Sequence, residues 1–153
     1  IKLENSYPLF YQTRGRVNFA LESYDEAIQD IELAIKLDPD DPDNYYYNGM
    51  VLHSMEKYSS AILKYNKAIS LLDSDYSYYL SRANSKTWLD DHQGAISDYN
   101  IVIKMEPEEA EAYLFRGYQK SWINDFNGAC LDLKLALSLG LEEARDGIKE
   151  YCK

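Results

Sequence analysis

Long apolar runs are missing from this 153-residue chain: none approaches the roughly 20 residues a membrane-spanning helix needs, and no secretory leader opens it. Cysteine is scarce too. Cys130 and Cys152 are too few for a disulfide framework or a zinc site. Two buried helix thiols are the plain expectation, although a last helix antiparallel to its neighbour would let them approach. Phenylalanine occurs four times against fifteen tyrosines, and tyrosine suits positions with one buried end and one wet end, such as grooves and interfaces. Bases are outnumbered, 16 against 26 acids, for a net charge of −10. That field repels phosphate backbones and argues against a nucleic-acid partner. The seven glycines never cluster, and no G-x-x-x-x-G-K-[ST], H-E-x-x-H or G-x-S-x-G occurs. His53 and His92 have no evident catalytic partner; His92 shares a register with Tyr24, Tyr58 and Phe126 and reads as a packing residue. The expectation is a protein that is not an enzyme and takes no cofactor or metal.

What is present is repetition. With 46% hydrophobic and 27% charged residues the chain is neither disordered nor a membrane protein. Ala27, Ala61, Ala95 and Ala129 stand 34 residues apart. So do Gly15, Gly49, Ala83 and Gly117; Tyr11, Tyr45, Tyr79 and Tyr113; and Ala34, Ala68, Val102 and Ala136. Unbroken columns at one period define a repeat array and outrank local propensity. In the first copy, residues from about Pro8 to Leu21 predict a helix A and Tyr24 to Leu37 a helix B. Ile28, Ile31, Ile35 and Leu37 fall at helical spacing. Gly15 and Ala27 sit where two antiparallel helices need small side chains to cross. Ser23 with Glu26 has the spacing of a capping box, Asp41 before Pro42 that of an N-cap, and Pro39 and Pro107 end B helices.

These columns resemble the tetratricopeptide repeat over about residues 8–141. The family's aromatic falls on the Tyr11 column, its glycine on Gly15, Gly49 and Gly117, and its alanines on the Ala27 and Ala34 columns. Asp73 and Leu141 replace the closing proline in units two and four, which loosens two turns without threatening the fold. The stretch "RGYQKSWINDFNGACLDLKLALSLG" is similar to bacterial members in particular. The resemblance implies an all-α fold, an α-α superhelix: a right-handed solenoid of antiparallel helix pairs. Its expected units are residues 8–41, 42–75, 76–109 and 110–141. Residues 1–7 are then the remnant of an upstream segment and 142–153 a C-terminal capping helix, with Leu141, Ala144, Ile148 and Tyr151 on one stripe. A start at Ile1 with no N-terminal cap predicts an excised or processed fragment with more chain, and further repeats, ahead of it. It also predicts self-association through the open N-terminal face. The compartment stays open between cytoplasm and periplasm.

One pattern goes beyond the resemblance. Arg14, Asn48, Arg82 and Arg116 precede the glycine column; sixteen residues on stand Asp30, Lys64, Asp98 and Asp132. The unit that loses arginine also loses its acid, which predicts an Arg–Asp bridge between helices A and B or between adjacent units. Arginine's planar fork binds a carboxylate bidentately.

Solenoids bind partners along extended concave surfaces. The resemblance places the groove on four A-helix columns: Gln12, Tyr46, Leu80, Leu114; Arg16, Met50, Asn84, Tyr118; Phe19, His53, Thr87, Ser121; and Ala20, Ser54, Trp88, Trp122. Members that hold acidic chaperone tails use a Lys and Asn clamp in the first two columns. Here only Asn84 and Arg16 are polar in that sense, so the clamp is rejected. A neutral aromatic and aliphatic floor remains, with Asp40, Asp41, Asp43, Asp75, Glu108, Glu109 and Glu111 at the starts of A helices. That combination predicts a protein or peptide partner with hydrophobic anchors and basic flanks. The alternatives are that Trp88 and Trp122 pack on each other or on the cap, and that the acids only complement helix dipoles. A self-associating scaffold and a regulatory segment of a larger protein are the competing functions.

Overall fold

The structure, a computed structural model, describes residues 7–152. Among them are nine helices and no strand: α1 (Pro8–Ala20), α2 (Tyr24–Leu37), α3 (Pro42–Ser54), α4 (Tyr58–Leu71), α5 (Tyr76–Thr87), α6 (His92–Met105), α7 (Ala110–Trp122), α8 (Phe126–Ser138) and α9 (Ala144–Tyr151). None is long and apolar enough to cross a membrane. The chain forms two compact units that divide between Tyr78 and Tyr79, inside α5.

In the first unit α1 lies on α2 and α3 on both α2 and α4. A Cβ built on Gly15 would stand 2.7 Å from Ile31 Cγ1 and 3.2 Å from the Ala27 carbonyl oxygen, so the predicted crossing of small residues is met. Val51 of α3 then packs on Ala27 and Ile31, with Phe19, Ile28, Ile35, Tyr47 and Met55 around them. Leu52, Ala61 and Tyr65 make a second cluster with Tyr46 and Met50.

In the second unit Ala95, Tyr99 and Val102 are buried on α6. The Tyr99 ring lies 6.3 Å from Phe115 of α7. At the C-terminal end Leu114, Leu133, Ala136 and Ala144 form a cluster that Tyr118, Leu141, Ile148 and Tyr151 close. The α9 stripe therefore packs on α8, while Arg145–Glu142 and Lys149–Asp146 pairs decorate its wet side. Cys130 on α8 and Cys152, just past α9, are bonded as a disulfide with Cα atoms 5.1 Å apart. This corrects the expectation of two separate thiols: the apolar stripe of α9 packs on α8 and brings the two sulfurs together.

Helix ends follow the period as well. Each A helix ends with a left-handed residue, Glu22 (φ 59°), Glu56 (59°), Asp90 (57°) and Asn124 (64°). The following amide reaches back five residues: Ser23 N–H donates to the Asn18 carbonyl and Lys57 N–H to that of Leu52, each at 2.9 Å. Such a residue closes a helix by capping its last carbonyls. Asp41 caps α3 as expected, accepting from the Asp43 N–H at 3.0 Å. The Ser23–Glu26 capping box is not formed: Ser23 holds the N-cap position without a side-chain bond. At the equivalent positions Asp91 and Asp125 do cap, accepting from the Gly94 and Gly128 amides at 3.0 and 2.9 Å. A serine hydroxyl is one atom shorter than that carboxylate. The tyrosine column adds a tie at the other end, since the Tyr45 and Tyr113 hydroxyls donate to the carbonyls of Pro39 and Pro107, both at 3.1 Å.

Candidate functional site

The A-helix columns divide by burial. Gln12, Leu114 and Ser121 are buried. The Gln12 amide donates to Asp41 at 2.9 Å and to Asn44 Oδ1 at 3.0 Å, and the Ser121 hydroxyl turns back to the Tyr118 carbonyl at 2.8 Å. These three face inward and leave nothing for a partner. Tyr118 is half-buried and packs on the cap, where a Cβ on Gly147 would lie 3.1 Å from its ring. Thus α9 occupies the ground beside the last A helix.

In the first unit Arg16 is exposed, and its guanidinium lies 4.6 Å from the Tyr47 ring centroid, a distance for cation–π attraction. Phe19, Tyr46, Met50 and His53 are half-buried. Tyr46 sits in an aromatic nest, with ring centroids 5.0 Å from Tyr78, 5.4 Å from Tyr47 and 6.0 Å from Tyr65. Below it Tyr78 donates to Asp43 at 2.6 Å, and burial with that carboxylate pushes the phenol far above its usual range. Burial lowers the His53 pKa, so its ring favours the neutral form; it stands edge-on to Tyr58 at 5.1 Å.

In the second unit Leu80, Asn84 and Thr87 are half-buried. Asn84 Oδ1 accepts the Tyr99 hydroxyl at 2.6 Å, and the Thr87 hydroxyl bonds the Ala83 carbonyl at 3.1 Å. Trp88 and Trp122 are 64% and 69% exposed. Trp122 stacks on His92, centroids 5.6 Å apart and planes 2° from parallel, while His92 Nδ1 lies 2.8 Å from Gln119 Oε1. His92 is thus a packing residue. The acids at A-helix starts are partly spent on structure: Asp41 and Asp75 cap α3 and α5, and Asp43 holds Tyr78.

Beside these columns run the ion pairs. Arg14 reaches Asp30 through Nε and Nη2 at 2.7 and 2.5 Å, Arg82 reaches Asp98 at 2.8 and 2.6 Å, and Arg116 reaches Asp132 at 2.7 and 2.6 Å. Each is a bidentate tie between helices A and B of one pair, the geometry that the paired change of residues anticipates. A third member escaped the sequence reading. Asn18 donates to Asp30 at 3.1 Å, and Lys86 and Lys120 reach Asp98 and Asp132, both at 2.8 Å. These donors are themselves 34 residues in register, and the second pair has Leu52 there. Its Asn48 is buried, and Asn48 Nδ2 lacks a hydrogen-bond partner. No group of three or more metal-ligating side chains occurs among the described residues.

Helix pairs that recur at a constant period, three of the four tied A to B by an Arg–Asp bridge, define a helical-repeat fold. More specifically, residues 9–41 match the family model described as Tetratricopeptide repeat. Two solved structures share the fold over nearly the whole chain. The first, a crystal structure of MamA, has TM-score 0.86 and 20% identity, covering 94% of this chain and 84% of that one. The second, YrrB, described as a tetratricopeptide-repeat protein with an unusual peptide-binding site, has TM-score 0.85 and 22% identity, covering 97% and 77%. A third, the first tetratricopeptide domain of Spaghetti (RPAP3) bound to the HSP90 peptide SRMEEVD, has TM-score 0.76 and 23% identity, covering 81% and 98%. No curated protein matches the sequence. The chain is all-α and built of consecutive helix pairs, with a tetratricopeptide repeat over residues 9–41.

Proposed function

We propose that this protein is a non-catalytic interaction module whose A-helix faces hold an extended segment of a protein partner. The observation that carries this reading is the contrast within α3, α5 and α7. Val51, Ser85 and Gln119 are almost fully buried, while Met50, Asn84 and Tyr118, one residue earlier, keep part of their surface. Tyr46, Met50 and His53, with Arg16 beside them, offer an aromatic and aliphatic floor in the first unit; Leu80, Asn84 and Thr87 offer a smaller, more polar one in the second. Tyrosine is enriched among residues that dominate interface energies. Among the similar proteins, YrrB is described as having an unusual peptide-binding site, and the Spaghetti (RPAP3) domain is bound to an HSP90 peptide. The Lys and Asn clamp for acidic tails is absent, and the net charge is −10, so the partner favoured here has apolar anchors and basic flanks.

Peptide display against the immobilised protein tests this. Peptides selected by wild type should lose binding to Met50→Arg and Leu80→Arg variants that keep their helical circular dichroism, and should be enriched in Lys or Arg. Peptides that bind wild type and both variants alike would overturn the reading.

A further inference from the structure

The turn between α7 and α8 and the end of α9 meet in a cleft. Two adjoining cavities, of about 410 and about 300 Å³, share Glu150 and Tyr151 as walls. Phe126 and Asn127 line the larger, Trp122 and Asn124 the smaller. The Tyr151 ring stacks on Phe126, centroids 6.1 Å apart and planes 17° from parallel, and is braced by the packing of α9 on α8. Trp122 is held differently. One face of its indole lies on His92, yet the residue is 69% exposed, so the opposite face is open.

The charge of the cleft has one sign. Arg145 and Lys149, the bases of α9, are paired with Glu142 and Asp146, whereas Glu150 makes no ion pair among the described residues. Among those residues no base lines either cavity. An unpaired carboxylate beside aromatic faces suits a cation, which the ring quadrupole and the carboxylate attract together. A guanidinium fits better than an ammonium: it is planar and weakly hydrated, stacks on an indole and forks onto a carboxylate. The Cys130–Cys152 bond also fixes where the chain goes after Tyr151. It fastens Cys152 about one helical turn farther along α8 than Phe126, on the side away from the α7–α8 turn.

We propose that this cleft takes an arginine side chain of the protein partner, its guanidinium laid on the open face of Trp122 and donating to Glu150. That the arginine is a partner's rests on the groove reading above, in which basic residues flank apolar anchors. Trp122 belongs to a groove column, so such a flank needs no second surface.

N-acetyl-arginine amide is the probe. In heteronuclear NMR spectra of the wild type it should shift the Trp122 indole N–H saturably, with a millimolar Kd. The indole of Trp88, at 64% exposure, should stay nearly unmoved; Trp88→Phe assigns the two signals. N-acetyl-citrulline amide, alike in shape but uncharged, should give no saturable shift. Glu150→Gln, at an exposed position, should weaken the arginine amide about three- to fivefold with unchanged circular dichroism. Peptides selected by display should carry arginine and lose about tenfold in affinity to Trp122→Ala. Equal shifts of both indoles, an equal response to the citrulline amide, or a Glu150→Gln protein that binds like the wild type would each overturn the inference. So would selected peptides that bind Trp122→Ala undiminished, and that result leaves the groove reading standing. Arginine-specific shifts with no peptide selected would instead overturn the groove reading and keep the cleft.

Discussion

Asp98 and Asp132 are 2% exposed, and each accepts from an arginine fork and a lysine whose side chains are 15–20% exposed. Asp30 has the same fork, but Arg14 is half exposed and the third donor is the neutral Asn18. Deleting one partner of a buried pair leaves the other charges uncompensated, at roughly 3–5 kcal/mol when burial is complete. For Asp98→Ala and Asp132→Ala, whose cations keep some water, we expect losses of about 2–4 kcal/mol each. Asp30→Ala should lose distinctly less, since Arg14 rehydrates. Urea denaturation of the three variants checks the order. The Arg–Asp pairing was legible in the sequence because one unit dropped both residues together. Asn18, Lys86 and Lys120 carry the same signal, for Leu52 replaces them in that unit. Gln12, by contrast, reads as a groove residue from its column, and only the position of Asp41 and Asn44 shows that its amide turns inward.

Between elements, the period was visible because crossing helices admit only small residues, and those columns recur. The turns were not. Glu22, Glu56, Asp90 and Asn124 hold left-handed backbone without the glycine that usually marks it; Gly140, at φ 98° after α8, is the exception. A glutamate there bears a Cβ clash of about 1 kcal/mol. Glu22→Gly and Glu56→Gly should each stabilise by about 0.5–1 kcal/mol, seen as a raised denaturation midpoint, whereas Asn124→Gly should gain less because asparagine tolerates this region. At the C-terminal end the Cys130–Cys152 bond closes a separation of 22 residues. Such a loop contributes about 3 kcal/mol through the unfolded state. Cys152→Ser, or a reductant, should lower the thermal midpoint and raise the protease sensitivity of the segment after Gly140 in particular.

Across the whole molecule three of the four pairs carry an Asp-centred tie, and the second carries Asn48, Leu52 and Lys64 instead. The buried Asn48 amide nitrogen makes no hydrogen bond, a desolvated donor of the kind that costs about 1–3 kcal/mol. Repeat arrays open locally, pair by pair, with free energies set by each pair and its neighbours. The pair α3–α4 thus lacks the Asp-centred tie of the other three and buries an unsatisfied donor instead. In native-state hydrogen–deuterium exchange its amides, central in the chain, should trade protons sooner than those of α5–α6 and α7–α8, and transplanting the tie by Asn48→Arg with Lys64→Asp should slow them. If so, the chain has a place where it yields first, and that place lies next to Tyr46 and Met50, so a partner seated there would be felt as slower exchange.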